Sequence, residues 1–148
     1  MSEQATATIE QAAMPKHGQV CWTEIATNNL EACKSFYSEL FGWKLKQSTV
    51  AGGDSETEME YVEISNGEDG CPSGGMYQMG KEFGDAPPHW MSYVSVDDVD
   101  AAAAKVWELG GKVCVPPTDI PNVGRFSVVN DPTGATFSII TLKSWDGA

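Results

Sequence analysis

The feature that most restricts this chain is a repeat in the order of its elements. Alternation, 3.6-residue stripes and turn residues give strand, helix and three strands, and then the same series again. The first strand is expected from Gln19 to Ala26, with Cys21, Thr23 and Ile25 on one face and Trp22, Glu24 and Ala26 on the other. A helix follows, capped by Asn28 or Asn29, with Glu31 placed as in a capping box. Leu30, Cys33, Phe36, Tyr37, Leu40 and Phe41 form its apolar stripe, and Gly42 ends it. Trp43 to Thr49, Met59 to Ser65 and Gly75 to Met79 read as strands, with a turn at Gly52-Gly53-Asp54 and a loop from Asn66 to Ser73.

The second series starts with a strand from His89 to Val96. Asp97 is expected to cap a helix with the stripe Val99, Ala102, Ala103, Val106 and Leu109, stopped by Gly110 and Gly111. Strands follow at Lys112 to Val115, Gly124 to Asn130 and Ala135 to Leu142. Pro116 and Pro117 are expected to close the first of these, because proline cannot donate into a central ladder. Asp131-Pro132-Thr133-Gly134 has the chemistry of a turn, proline fixing φ and glycine permitting a positive one.

Sliding the sequence by 69 positions superposes Ala32 on Ala101, Glu39 on Glu108, Leu40 on Leu109 and Gly42 on Gly111. Together with the matching element order this points to an internal duplication. A half of roughly 60 residues hides a sheet face poorly alone. The expected fold class is therefore α+β: two tandem βαβββ modules forming a curved mixed-sheet cup, with the helices outside and a pocket on the concave side. Residues 1–16 read as a flexible arm, 17–143 as the domain (modules 17–80 and 88–143) and 144–148 as a tail.

Composition narrows the function classes. Nine Lys and Arg against 21 Asp and Glu give a net charge of −12, and Arg125 is the sole arginine. Nucleic acid and anionic membrane are thus poor partners. There is no run of 18 apolar residues and no basic start before an apolar stretch, so neither a spanning helix nor a secretory signal is expected. Cys21, Cys33, Cys71 and Cys114 form no CxxC pair and read as buried free thiols of a cytoplasmic protein. No dinucleotide or phosphate-binding glycine motif, nucleophile elbow or HExxH is present.

Asn28-Asn29-Leu30-Glu31-Ala32 leading into Phe36-Tyr37, then Leu40-Phe41-Gly42-Trp43, with Leu109-Gly110-Gly111 and Asp131-Pro132-Thr133-Gly134 in the second half, resembles the vicinal oxygen chelate superfamily. That superfamily includes glyoxalase I, bleomycin-resistance proteins and extradiol dioxygenases. The resemblance runs from about Gly18 to Lys143. Cys21-Trp22-Thr23-Glu24 and Gly74-Gly75-Met76 are most similar to its glyoxalase-like antigen and hydroxylase-like branch. In metal-using relatives four strand positions supply His, Glu or Gln. By the resemblance these fall here on Trp22, Met91, Ser138 and either Tyr77 or Gln78. Trp has no lone pair to give, Met is soft and Ser is a weak ligand, so no metal and no other cofactor is expected. His89 stands two residues before Met91, and His89 or Gln78 could support at most a weak metal site.

The candidate site residues follow from this placement. Glu24 and Tyr93 are the catalytic candidates, Glu24 as a base if burial raises its pKa. Trp22, Tyr77, Met91, Arg125 and Ser138 are the ligand-binding candidates, with Thr136 on the same lining. Trp22 is either a stacking platform or a plug in the metal position. Glu24 is either a ligand acceptor or paired within the protein. Arg125, expected near the cup's mouth, either holds an anionic ligand or pairs with Glu24 or another acid. The leading function is a metal-independent small-molecule pocket, with catalysis left open. The alternatives are a metal-dependent lyase or isomerase of the glyoxalase I type, a drug-sequestering binder of the bleomycin-resistance type, and an interaction protein whose cup is filled by Trp22, Tyr93 and Phe126. A homodimer is a possible assembly, by resemblance to relatives.

Overall fold

Alternating side chains and helix-ending glycines are realised in a computed structural model that describes residues 14–51, 58–66 and 72–143. The turn expected at Gly52-Gly53-Asp54, most of the Asn66 to Ser73 loop, Cys71, the arm up to residue 13 and the tail from 144 lie outside those residues. The chain divides into two compact units. One spans Trp22–Ser92, and the other joins the approach up to Cys21 to the chain from Tyr93 onward.

The Trp22–Ser92 unit takes most of β1 (Val20–Thr27), then α1 (Leu30–Phe41), β2 (Lys44–Ala51), β3 (Glu58–Ser65) and β4 (Gly74–Gln78). A 3-10 turn at Lys81–Phe83 precedes the start of β5 (His89–Ser95). The strand order is β2-β3-β4-β1. β3 is antiparallel to both neighbours and β4 is parallel to β1, with Glu24 opposite Gly75 and Ala26 opposite Tyr77. Asn29 caps α1, its Oδ1 accepting the Ala32 N–H at 3.1 Å. The cap is thus the second of the two asparagines, one residue later than the capping box reading requires. Gly42 ends the helix in the left-handed region at φ 72°, where a side chain would be strained. Ile25, Leu30, Val62, Ile64 and Met76 form the core, with Cys33, Tyr37, Trp43 and Leu45 against it. Phe36, Leu40 and Phe41, expected in the same stripe, are exposed instead.

The other unit contains the rest of β5, α2 (Val99–Glu108), β6 (Lys112–Ile120), β7 (Gly124–Asn130) and β8 (Thr136–Leu142). Its order, β5-β8-β7-β6, repeats that of the first unit, with β5 parallel to β8 as β1 is to β4. This is the duplicated βαβββ connection, and both units are α+β. Val96, Val99, Ala103, Val129 and Ile139 form the core. Asp98 rather than Asp97 caps α2, accepting the N–H groups of Asp100 and Ala101 at 3.0 and 3.2 Å. The approach to β1 is pinned here, Gly18 N–H donating to Ser95 O at 2.7 Å and Ser95 N–H to Gln19 O at 2.8 Å.

β6 differs from expectation. It continues through Pro116 and Pro117 to Ile120 instead of stopping at Val115. It pairs with β7 alone within this unit, and its register slips between Val113 and Val115 and again between Val115 and Thr118. At an edge strand the missing proline N–H faces no partner, and irregularities absorb the rest. Cys114 is also exposed rather than buried, while Cys21 and Cys33 are half-buried; all three are free thiols.

Candidate functional site

In the Trp22–Ser92 unit, Ile25, Val62 and Met76 point towards α1. Alternation therefore puts Trp22, Glu24, Tyr61 and Tyr77 on the opposite face of the sheet. Glu24 is buried, with 8% of its surface exposed, and Tyr61 only 9%. Tyr61 O–H donates to Glu24 Oε1 at 2.6 Å, and Trp22 Nε1–H donates to Tyr61 Oη at 2.9 Å. A phenol has one hydrogen to give and two lone pairs to receive. Here the hydrogen goes to the carboxylate and one lone pair takes the indole N–H. The chain is polarised in one direction, each group aiming its hydrogen towards Glu24. A contact of this length to a carboxylate is of the charge-assisted kind.

The arrangement depends on Gly75. Tyr61 lies on β3 and Glu24 on β1, with β4 between them. A Cβ on Gly75 would collide with the Tyr61 hydroxyl and with its ring. The tyrosine lies over the glycine to reach the carboxylate. Its ring stacks on Tyr77 at 6.3 Å between centroids, and Tyr77 meets Phe83 at 6.0 Å. Sequence reasoning missed Tyr61. Its signals were present: alternation against Val62 and Ile64, and a glycine inside a strand, which marks close approach.

The remaining candidates separate. Met91 is half-buried on β5. In the other unit Tyr93 is half-buried, its carbonyl accepting from Cys21 Sγ at 3.6 Å; burial pushes that thiol's pKa up. Tyr93 stands beside the fully buried Ser138 in the β5–β8 register. Both lie on the face away from the core residues Val129 and Ile139. Thr136 shares that face and donates to Asn130 Oδ1 at 2.8 Å. Arg125 lies on the opposite face with Ser127 and Val129. Its Nε and Nη2 hold Asp100 at 2.9 and 3.1 Å, and Nη1 holds Asp119 at 3.1 Å. Its partners are thus Asp100 at the start of α2 and Asp119 on β6, not Glu24. The Arg125 hydrogen bond holds the Asp100 carboxyl below its ordinary pKa, and the two acids push the guanidinium's up.

The positions that hold metal in relatives do not fit a divalent ion in this chain. Trp22 gives its N–H to Tyr61. Of the pair Tyr77 and Gln78, Tyr77 is on the Glu24 face and stacks on Tyr61. Gln78 Oε1 accepts the Leu30 N–H at the start of α1 at 3.0 Å. His89 Nδ1 lies 2.9 Å from the Pro87 carbonyl. Among the described residues no group of three or more His, Cys, Asp or Glu is placed to hold a metal ion.

Comparison with known proteins agrees with the fold. CFP32 of Mycobacterium tuberculosis, named as a glyoxylase, is 34% identical over 137 residues, covering 93% of this chain and 49% of CFP32. The anthracycline biosynthesis protein DnrV of Streptomyces peucetius is 27% identical over 136 residues, covering 88% of this chain and 50% of DnrV. The chain therefore spans about half the length of these curated relatives. The solved structure of BH1468, a hypothetical protein of Bacillus halodurans, matches with a TM-score of 0.65 at 12% identity, over 90% of this chain and all of that one. Residues 19–139 match the Glyoxalase/Bleomycin resistance protein/Dioxygenase superfamily, and the chain belongs to that superfamily.

Proposed function

We propose that the sheet face bearing Trp22, Glu24, Tyr61 and Tyr77 is a small-molecule site that works without a bound metal. The observation that carries this reading is the hydrogen-bonded Trp22–Tyr61–Glu24 chain, buried at Tyr61 and Glu24. A buried carboxylate is costly unless it is hydrogen-bonded, and this one is set among aromatic rings suited to a flat ligand. Glu24 is the acceptor for a hydroxyl or amine of the ligand. Trp22 and Tyr77 supply apolar contact, and Met91 extends the lining. In the other unit Tyr93 with Ser138 forms a polar pair of its own, and Arg125 serves as a strut between Asp100 and Asp119. The location proposed is cytoplasmic, in keeping with free thiols at Cys21, Cys33 and Cys114. No helix among the described residues is long and apolar enough to cross a membrane.

The short phenol–carboxylate contact favours a second reading, in which the site also transfers a proton. Glu24 would then be the base, with Tyr61 stabilising its charge between turnovers. An anthracycline is a suitable first probe: it is a flat aromatic molecule bearing hydroxyls, and DnrV is named for anthracycline biosynthesis. Saturable quenching of tryptophan emission is expected, weakened at least tenfold by Glu24→Gln and lost in Trp22→Phe. Metal analysis before and after adding Ni, Zn, Mn and Fe should give less than about 0.1 ion per chain, since no donor set converges among the described residues. One firmly held ion per chain would overturn the metal-free reading. Quenching unchanged in Glu24→Gln would remove Glu24 from the site.

A further inference from the structure

The ring of Tyr77 is met from outside the strands as well as from within them. Tyr61 of β3 stacks on it at 6.3 Å with 17° between the planes, and Phe83 meets it at 6.0 Å with 48°. Phe83 is half-buried and ends the 3-10 turn Lys81–Phe83, on the connection from β4 to β5. Paired rings prefer centroids about 4.5–7 Å apart. Phe83 therefore occupies the shell around Tyr77 in which the ring of a flat ligand would stand. The connection that carries it is weakly tied. Met79 N–H donates to Thr27 O at 2.7 Å, and β5 begins at His89. Between them the described backbone bonds join near neighbours: Phe83 N–H to Gly80 O at 3.2 Å, Gly84 N–H to Lys81 O at 3.0 Å and Ala86 N–H to Phe83 O at 3.1 Å. Bonds that span three residues have poorer geometry than those of an α-helix. Gly84 takes φ 58° and ψ −127°, a region other residues avoid, and glycine has the widest choice of alternatives. Pro87 and Pro88 stiffen the far end. The freedom to swing is thus concentrated around Gly80 and Gly84.

We infer that Phe83 is an internal competitor of the ligand. It holds the Tyr77 ring in the absence of ligand, and the Lys81–Phe83 turn carries it away when a flat ligand takes its place. This rests on the small-molecule site proposed above and adds a regulation to it. The consequence is thermodynamic. Every ligand that stacks on Tyr77 must give up the same Tyr77–Phe83 contact, so all affinities are lowered by one common factor. Glu24 acts otherwise, since it favours only a ligand that brings a hydrogen to it. Phe83 therefore sets how tightly the site binds, and Glu24 sets what it binds.

Two probes separate these roles. Hydroxymethyl-anthraquinone and ethyl-anthraquinone share the same flat rings and heavy-atom count, and only the first can donate a hydrogen bond. In titrations of tryptophan emission, Phe83→Ala should tighten both by the same factor, about threefold or more. Glu24→Gln should weaken only the first. Lys81 is exposed, so trypsin reports on the turn directly, with mass spectrometry locating the cut. Without ligand, Phe83→Ala should be cut after Lys81 faster than wild type. With either probe at saturation, wild type should be cut as fast as Phe83→Ala. Near-UV circular dichroism establishes that the variant is folded. Affinities unchanged or weakened in Phe83→Ala would make Phe83 a bystander or a fixed wall and overturn the inference. So would unequal factors for the two probes, a bound probe that protects Lys81, or ligand-free chains cut at equal rates. Each of these leaves the site itself standing. Saturable quenching absent with both probes, in wild type and in Phe83→Ala alike, would overturn the site and the inference together.

Discussion

Tyr61 can lie across the sheet because residue 75 has no side chain, and this dependence sets what substitutions there will do. Tyr61→Phe removes one hydroxyl but deprives two groups, the Trp22 N–H and Glu24 Oε1, of a partner. Removing a partner from a buried polar group costs about 1–3 kcal/mol, so Tyr61→Phe should lower stability by that amount in urea unfolding. Glu24→Gln retains an acceptor oxygen and should cost less. If the two variants lose equal stability, the hydroxyl is not the organising group. Gly75→Ala should perturb the same centre by overpacking, about 1–3 kcal/mol. At this scale the sequence revealed the face but not the contact. Alternation placed Trp22 and Glu24 together, whereas the tyrosine that joins them lies 37 residues from Glu24. Arg125 shows the converse: its identity as the sole cation of its type was plain, but only the fold shows that it shares a face with Val129 and reaches Asp100.

Local elements were legible where chemistry is local. The turn before β8 is the clearest case. Asp131 Oδ1 accepts the Thr133 hydroxyl at 2.7 Å and the N–H groups of Thr133 and Ala135 at 2.8 and 3.1 Å, while Gly134 takes φ 97°. The Thr133 hydroxyl and then these N–H groups hold the Asp131 carboxyl below its ordinary pKa. A group lowered in the folded state stabilises it fully above the unfolded pKa of about 3.9 and ceases to do so as pH falls through the folded value. Wild type should therefore exceed Asp131→Ala in stability at pH 7, and the part of that gap owed to charge should shrink as pH falls below the unfolded pKa. Chemical unfolding at several pH values measures it, and a gap that widens in acid would contradict the assignment. Caps were readable to within one residue, Asn29 being one of the two asparagines expected and Asp98 taking the role from Asp97. Two element readings failed for reasons outside the local sequence. β6 runs through its prolines because it is an edge, and the α1 stripe is wider than its core because part of it stays exposed.

Across the whole chain, the duplication was readable from element order, and each unit carries the same strand connection. The excess of acid is the other property of this scale, since the contacts among the described residues pair only a few of the acids. The described ion pairs, Lys34 with Glu31 and Arg125 with Asp100 and Asp119, join groups that are at least partly exposed. Pairs of this kind contribute little. Net self-repulsion at −12 opposes the compact state, and salt weakens repulsion over distances beyond a Debye length. The melting temperature at pH 7 should therefore rise between about 0.01 M and about 0.15 M NaCl. The rise should shrink near pH 5, as the charge falls towards neutrality at the pI of about 4.3. Asp100 and Asp131, held ionised to lower pH, keep their contacts across that interval. Melts at low protein concentration isolate repulsion within one chain. If the chain melts at the same temperature at both ionic strengths, the excess acid is dispersed too widely to oppose folding.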